Sequence, residues 1–267
     1  IDADDATGNR TTQGGLRQFL QNANALSGTQ TSNFEIATSD PNYNGSGHGE
    51  FTITPTSALP VISEVTVLDG TTQTGFTSSP LIEIKGSSAG ANSDGLVLDG
   101  TSDGSTINGL VINRFGGSAI VVATSSNNTI AGNYLGTSAD GASDLGNTHM
   151  GISLFNASNN NVIGGTTAAD RNVISGNNSS GVHLGDFDLD TTIQGNLIGP
   201  ANGGNARLLT GSSGAYGIRA LGIRTIIGGA AGTGGVLATK GKEVEFNSES
   251  RLTFTLEKSV SLPKITS

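Results

Sequence analysis

The sequence predicts an all-β solenoid, a right-handed parallel β-helix with a capping α-helix near its N-terminus. Two observations favour this fold class. The 267 residues include 41 glycines and are still 34% hydrophobic, which is too apolar for a disordered chain and too rich in glycine for a helical one. Within residues 95–239, three short apolar segments also recur in the same order five times, which is typical of a repeat architecture.

Each repeat has the same internal order, as residues 181–184, 192–195 and 196–199 illustrate. The first segment reads Gly-apolar-x-apolar, the second ends in Gly, and the third follows closely. Alternate side chains of a strand point to opposite faces, so stacked repeats join their inward residues into one core. The residues predicted to face inward are Leu98, Ile107, Ile120, Ile130, Ile152, Ile174 and Ile193.

Polar residues recur just before the second segment of each repeat. They allow two interpretations: side chains that hydrogen-bond from coil to coil as a ladder, or simple turn formers. The residues are Asn128, Asn160, Asn161, Thr191 and Thr192.

The chain divides into four segments that differ in composition and in hydrophobic pattern. Residues 1–33 contain the capping helix, because Leu16, Phe19, Leu20 and Ala23 recur at helical spacing. Residues 34–94 form irregular opening coils with predicted strands at 34–37, 51–54, 64–68 and 81–84. Residues 95–239 are the regular coils, with 236–237 as the last third-segment strand. Residues 240–267 are either a terminal coil or the start of a following module.

Charge excludes one class of partner and suggests one ion. The net charge of −9 opposes binding of nucleic acid, whose phosphates are anionic. The excess of acidic residues has two explanations: solubility, or binding of calcium, which prefers oxygen ligands. The densest acidic run is Asp186, Asp188 and Asp190, and it is a weak calcium hypothesis because it lacks the glycine and distal glutamate of an EF-hand loop. The sequence indicates no required cofactor.

Two polar insertions follow the third segment of their repeats, at residues 137–150 and 200–216. They are expected on one side of the solenoid, where insertions often form the binding face. The alternative is that they are solvated loops with no ligand. The oxygens that such a face would offer to a cation or a polar ligand belong to Asp140, Asp144, Asn147, Asn202 and Asn205.

Several of these motifs together resemble a known repeat. They are Asn133–Thr137, Ala139–Ala142, Asn161–Gly165 and Arg171–Asn177, with Gly15–Gln18 and Leu68–Gly70 at the opening. The pattern, over residues 10 to 239, resembles the right-handed β-helix repeats of very large bacterial extracellular and cell-surface proteins. The resemblance implies the fold and an extracellular or cell-surface location. It implies no reaction, because most such proteins have none assigned.

An enzyme of the carbohydrate-active β-helix type is the competing hypothesis. Residues 46–49 (Ser-Gly-His-Gly) resemble a segment of polygalacturonases, but the Asn-x-Asp, Asp-Asp and Arg-x-Lys partners of that family have no counterpart on neighbouring coils. The chain has no Trp and is 4% aromatic, with Tyr134 and Tyr216 the candidates for sugar contact near the insertions. His48, His149 and His183 lack partners at metal-ligand spacing. No catalytic residue is therefore predicted.

The sequence thus favours a non-enzymatic extracellular surface module, adhesive or structural. A carbohydrate-active β-helix enzyme or a polysaccharide-binding domain is the alternative. Expected partners are polysaccharide, matrix or neighbouring cell-surface proteins. No apolar run approaches the roughly 18 residues of a membrane span, and because the chain begins at Ile1 we expect a processed fragment.

Overall fold

The protein is a stack of parallel β-strands arranged in three sheets, with one helix at the start. The computed structural model describes residues 15–45, 48–199, 217–220, 226–228, 236–237 and 244–246. The helix, α1, is Leu16–Ala25, and two short 3₁₀ turns are Gly70–Thr72 and Gly86–Ser88.

The first sheet has the order β1-β4-β7-β10-β13-β16-β19-β20. Its strands are Gln30–Thr31 (β1), Thr66–Asp69 (β4), Thr106–Asn108 (β7), Thr129–Ala131 (β10), Val162–Gly164 (β13), Thr192–Gln194 (β16), Ile226–Gly228 (β19) and Val236–Leu237 (β20).

The second sheet has the order β2-β3-β5-β8-β11-β14-β17. Its strands are Tyr43–Asn44 (β2), Glu50–Ile53 (β3), Ile82–Lys85 (β5), Leu110–Asn113 (β8), Tyr134–Leu135 (β11), Val173–Ile174 (β14) and Leu197–Ile198 (β17).

The third sheet has the order β6-β9-β12-β15-β18-β21. Its strands are Leu96–Asp99 (β6), Ile120–Ala123 (β9), Ile152–Phe155 (β12), Val182–Leu184 (β15), Ile218–Ala220 (β18) and Val244–Phe246 (β21).

From β4 to β19 the chain visits the first, second and third sheets in turn and then returns to the first. Each return pairs in parallel with the strand of the preceding coil, as Ile107 does with Ile130 and Ile130 with Ile163. The turns of the stack differ in length. Ser105 and Asn128 occupy neighbouring coils 23 positions apart, whereas Asn128 and Asn161 are 33 apart. The excess is accommodated in loops, so the strand register is kept.

One hydrophobic core runs through the stack. All seven residues predicted to face inward, from Leu98 to Ile193, are at most 2% exposed, which confirms that assignment. The stack also begins before residue 95, because β3, β4 and β5 pair in parallel with β5, β7 and β8. The opening coils therefore belong to the same three sheets as the regular ones.

Leu16 and Leu20 of α1 are buried within this core, and Ala23 is buried as well. Asn24 at the end of α1 also bonds the chain that leads into β4: its Oδ1 accepts the Ser63 N–H at 2.9 Å. The amphipathic spacing of the sequence is thus explained by burial of one helical face.

Two strand predictions were wrong. Residues 34–37 are not a strand, because their backbone N–H groups bond side chains and not a neighbouring strand. Phe34 N–H donates to Thr72 Oγ1, and Ile36 N–H donates to Gln73 Oε1. Val236–Leu237 is a strand, but it pairs antiparallel with β19 in the first sheet and does not form the third segment of a coil. In the tail, β21 likewise pairs antiparallel with β18.

Buried asparagines stack from coil to coil at the corners, which confirms the ladder for part of the predicted set. Asn161 Oδ1 accepts both the backbone N–H and the Nδ2–H of Asn128, at 2.9 and 3.0 Å. Asn160 is exposed with φ of 56° and is a turn former. A second stack contains Asn133, Asn172 and Asn196.

The first ladder stops at Thr191, which gives a testable prediction. Thr191 is fully buried and its Oγ1 has no hydrogen-bond partner. We expect Thr191→Asn to raise the free energy of unfolding by about 1 kcal/mol, because its Oδ1 would accept from Asn161 as Asn161 accepts from Asn128. Chemical denaturation measures the change.

Thr191→Val is the control, because it removes the unpaired hydroxyl without adding a ladder rung. The ladder explanation requires the Asn variant to be more stable than the Val variant. Equal stability of the two would mean that relief of the unpaired hydroxyl alone explains the gain.

Candidate functional site

The first insertion is a small hairpin that leaves the second sheet after β11. Thr137 and Asp144 form an antiparallel bridge, and Leu145 N–H returns to Gly136 O at 3.0 Å. Asp140 and Asp144 are exposed at this hairpin. Their carboxylates stabilise the turns of the loop itself: Asp140 Oδ1 accepts the Ala142 N–H at 2.9 Å, and Asp144 Oδ1 accepts the Gly146 N–H at 3.1 Å.

Asn147 does not lie with them on the surface of the hairpin. It is 1% exposed and forms a third asparagine stack, in which its Nδ2 donates to Asn177 Oδ1 at 2.8 Å and its Oδ1 accepts the Phe115 N–H at 2.9 Å. The insertion therefore ends before Asn147, and this amide is used by the fold. Asn202, Asn205 and the second insertion lie outside the described residues.

The pKa of Asp140 is set mainly by groups of its own hairpin. The Ser138 hydroxyl and the Ala142 N–H lower the pKa of Asp140, and a smaller contribution comes from His48. His48 therefore lies close enough to act on the hairpin, although 92 positions of sequence separate them. Its Nε2 is buried, and no residue that the structure describes hydrogen-bonds to it.

The acidic turn after β15 spreads its three carboxylates over different environments. Asp186 is exposed, Asp190 is half-buried, and Asp188 is fully buried. Asp188 Oδ1 accepts the Ser158 N–H of the preceding coil at 2.8 Å, and Oδ2 accepts the Gly185 N–H at 2.7 Å. Both Asp188 oxygens are thus occupied by backbone donors.

The described part of the chain contains no group of three or more His, Cys, Asp or Glu side chains placed to hold a metal ion. Asp186, Asp188 and Asp190 are not brought together as a cation site, because Asp188 turns inward to bond the coil below. Calcium binding stays a prediction from composition.

The buried Asp188 gives a pH-dependent prediction. Burial raises the pKa of Asp188, with a further contribution from Asp186, against the two backbone donors, which lower it. The folded state therefore holds this proton more tightly than the unfolded chain does, so the contribution of Asp188 to stability grows as pH falls towards its unfolded pKa. We expect the melting temperature of the wild type minus that of Asp188→Asn to be larger at about pH 4.5 than at pH 7.

Asp140→Asn is the matched control of opposite sign. Because the pKa of Asp140 is lowered, its stabilisation is present at neutral pH and is lost as pH falls through the folded pKa. The corresponding difference should therefore change little between pH 7 and about pH 4.5 and should shrink only at lower pH, towards about pH 3. A common pH trend in both variants would contradict the burial argument for Asp188.

A groove of about 450 Å³ lies where the first and second sheets meet. Its wall on the first sheet takes residues from four successive coils: Thr71 after β4, Asn108 on β7, Gly132 after β10 and the pair Asp170–Arg171 after β13. The second sheet contributes Tyr134 and Val173, and a loop between β4 and β5 contributes Phe76, Ser78 and Ser79.

Tyr134 belongs to an apolar stripe on the outer face of the second sheet. Val111, Tyr134, Val173 and Leu197 are in register on neighbouring strands, and Ala139 of the hairpin packs on them. The Tyr134 ring is 6% exposed and its hydroxyl reaches Ser79 Oγ at 3.5 Å. The prediction that Tyr134 lies near the insertion is thus confirmed, but its ring forms a wall and is not an open platform.

The polar groups of the groove differ in what they already bond. Asp170 Oδ2 accepts the N–H and hydroxyl of Thr167 at 3.1 and 2.7 Å. Arg171 donates from Nε to Gly195 O at 3.1 Å, and its terminal nitrogens make no hydrogen bond to any residue the structure describes. The groove therefore presents unused donors beside carboxylates that are already engaged. Beyond Tyr134, no sequence pattern predicted this assembly, because its members are spread over four coils and lie far apart along the chain.

Comparison with protein-family models, with curated proteins and with solved structures finds no match. None of the described residues belongs to a helix that is both long and apolar enough to cross a membrane. His149 is exposed in the loop that leads to β12, and His183 is half-buried on β15 opposite Ser153 and Arg219.

Proposed function

We propose that this chain is a non-enzymatic extracellular module with a structural or adhesive role at a cell surface. The observation that carries the proposal is that polar side chains hydrogen-bond one coil to the next. Asn133, Asn172 and Asn177 bond neighbouring coils, and so do buried or half-buried carboxylates. A stack held at its corners in this way suits a stiff spacer, since each coil fixes the next.

Carboxylates at the corners support the same interpretation. Asp94, Asp103 and Asp188 each accept a backbone N–H from a neighbouring coil, at 2.6, 2.7 and 2.8 Å. A hydrolytic site needs two carboxyl groups held across a sugar and free to exchange protons. Carboxylates engaged with backbone donors are better suited to holding coils together.

The test of the non-enzymatic role is turnover. The purified chain, incubated with neutral and acidic polysaccharides with and without calcium, is expected to release no reducing ends and no unsaturated products. Turnover that disappears in Asp186→Ala or His48→Ala would contradict the proposal. Asn178→Ala serves as the control variant, because Asn178 is exposed and precedes β15, whereas Asp186 follows that strand.

The surface location is a separate part of the proposal, and it rests on the resemblance to bacterial extracellular β-helix repeats. Antibodies raised against the purified chain should label intact producing cells without permeabilisation. Labelling that appears only after permeabilisation would contradict a surface role and would leave the stack itself unaffected.

We also propose that the solenoid winds to the right and that α1 caps its first coil. Right-handed crossovers are strongly preferred between parallel strands, and an open solenoid end exposes strand edges. Replacing Leu20, which is 0% exposed, by Asp should lower the free energy of unfolding by about 3 kcal/mol or more. Gln21→Asp on the exposed face of α1 is the control, and equal effects of the two would contradict a capping role.

A polysaccharide-binding role is the second candidate, and the groove beside Tyr134 is the observation that favours it. Its volume lies in the range of ligand sites, and the unused donors of Arg171 face no partner within the described chain. The exposed hairpin with Asp140 and Asp144 is the alternative contact surface for an adhesive role. Replacing residues 138–145 by a tight Gly-Asn turn removes the hairpin and leaves the groove-lining residues in place.

A further inference from the structure

We propose that the groove between the first and second sheets binds a segment of a linear, neutral polysaccharide that lies along the axis of the stack. This inference deepens the polysaccharide-binding role proposed above and rests on it, but it does not rest on the structural role, because a stiff spacer needs no groove. The groove-lining residues belong neither to the asparagine ladders nor to the hairpin, and the proposal assigns them a class of ligand.

The direction of the groove follows from the coils that line it. Thr71, Asn108 and Gly132 lie on or directly after three successive strands of the first sheet, and Arg171 lies in the connection that follows the fourth. Strands are spaced by about 4.8 Å, so these four rungs span about 14 Å along the axis. A pyranose ring has about the length of one rung spacing, so an extended sugar chain presents one residue to each coil.

The lining has the two kinds of surface that a sugar ring requires. Phe76, which is half-buried, and the exposed edge of Tyr134 supply apolar surface for the C–H faces of the rings, and both aromatic rings are held by packing. Arg171 and Ser78 supply hydrogen-bonding groups for hydroxyl and ring oxygens. The lining thus places polar groups beside apolar surface, as sites for polar ligands do.

Gly132 keeps the floor of the groove low. A Cβ at this position would lie 2.7 Å from Asn108 Oδ1 and 2.8 Å from Ala169 O, so the backbones of neighbouring coils approach closely there. Any larger residue would separate these coils and fill the floor. The depth of the groove is therefore fixed by the stack and does not depend on a mobile side chain.

Charge favours a neutral chain over an acidic one. The protein carries a net charge of −9, and Asp170 lines the groove beside Arg171. Asp69 lies at the same edge, where its Oδ1 accepts from Asn108 Nδ2 at 3.2 Å. A uronic acid chain would place its carboxylates against these groups, so we expect Arg171 to bond hydroxyls and not carboxylates.

The experiment measures retardation of the full chain in native gels that contain soluble xylan, galactomannan, mixed-linkage β-glucan or polygalacturonate. Hexasaccharides of the retarding polymer then give dissociation constants by calorimetry. We expect at least one neutral polymer to retard the protein and polygalacturonate to have no effect. Arg171→Ala should weaken binding of the hexasaccharide about tenfold, because donors to the sugar are lost.

A second variant leaves the hydrogen bonds of the stack intact. Ala168 is exposed at the rim, so Ala168→Met places a longer, uncharged side chain over the groove and should abolish retardation without lowering the melting temperature. Ala25→Met, at the exposed end of α1, is the matched control and should bind as the wild type does.

Three results would overturn the proposal: no retardation by any neutral polymer, binding that survives Ala168→Met unchanged, or preferential binding of polygalacturonate. None of them bears on the structural role, which is tested by turnover and by surface labelling. Conversely, turnover of a bound neutral polymer would contradict the non-enzymatic role and leave the groove assignment standing.

Discussion

Replacing Asn172 by Ala is expected to lower the free energy of unfolding by about 3 to 5 kcal/mol, because four hydrogen bonds of one buried amide disappear together. Asn172 Oδ1 accepts from the N–H and the Nδ2–H of Asn133 at 2.9 and 3.2 Å. Its Nδ2 donates to Ile130 O and to Asn196 Oδ1, both at 2.8 Å. The substitution removes these hydrogen bonds from donors and acceptors of the two flanking coils, and the Asn133 N–H and the Ile130 carbonyl lose their bond to the Asn172 side chain.

Chemical denaturation and amide hydrogen exchange together measure this effect. Exchange of the Asn133 N–H should accelerate most, since that group loses its acceptor directly. Asn172→Asp separates the two halves of the interaction, because it keeps the acceptor oxygens and removes the donors. We expect it to be destabilising as well and more so at neutral than at acidic pH, since an ionised carboxylate would be buried.

Asn178→Ala is the matched control on the next strand connection. Asn178 is exposed, and its backbone N–H, which bonds Asn147 O at 3.0 Å, is unchanged by the substitution. A loss below about 1 kcal/mol is expected there. If Asn172→Ala were no worse than Asn178→Ala, the asparagine stacks would contribute little to stability, and the spacer argument would lose its main support.

The parallel stack was predictable because its signal is local and repeated. A residue such as Ile130 belongs to an apolar segment that recurs in neighbouring repeats, and the period of two within each strand gives the inward face. The two wrong strands lack this support. Phe34 bonds the side chain of Thr72, a contact 38 positions away that no local pattern encodes, and Val236 belongs to a repeat whose order breaks down.

The candidate sites were harder to predict because they depend on which direction a polar side chain takes. Asn147 and Asp140 lie in the same insertion, yet Asn147 is buried in a stack and Asp140 is exposed. Likewise Asp188 is buried while Asp186 is exposed, although both belong to one acidic run. The alternation in the sequence was visible, but only the position of Ser158 on the coil below assigns Asp188 to the interior.

Gly136 is expected to be among the least replaceable residues of the stack. It ends β11 with φ of 90°, and a Cβ there would lie 2.2 Å from Ser175 O and 2.5 Å from Asn177 Oδ1. Two costs therefore add in Gly136→Ala: the left-handed backbone conformation, about 1 to 2 kcal/mol, and separation of the two coils. We expect a total loss of about 4 kcal/mol or more, which is exceptional for one methyl group.

Gly28 isolates the first of these costs. Its φ of 91° matches that of Gly136, it is exposed, and a Cβ there would meet nothing within 4 Å. Gly28→Ala should therefore cost about 1 kcal/mol, and the difference between the two variants measures the close approach of neighbouring coils. Denaturation midpoints of both variants test this. Similar losses in both would mean that the coils separate at little cost, which is incompatible with corners held by the Asn147–Asn177 stack.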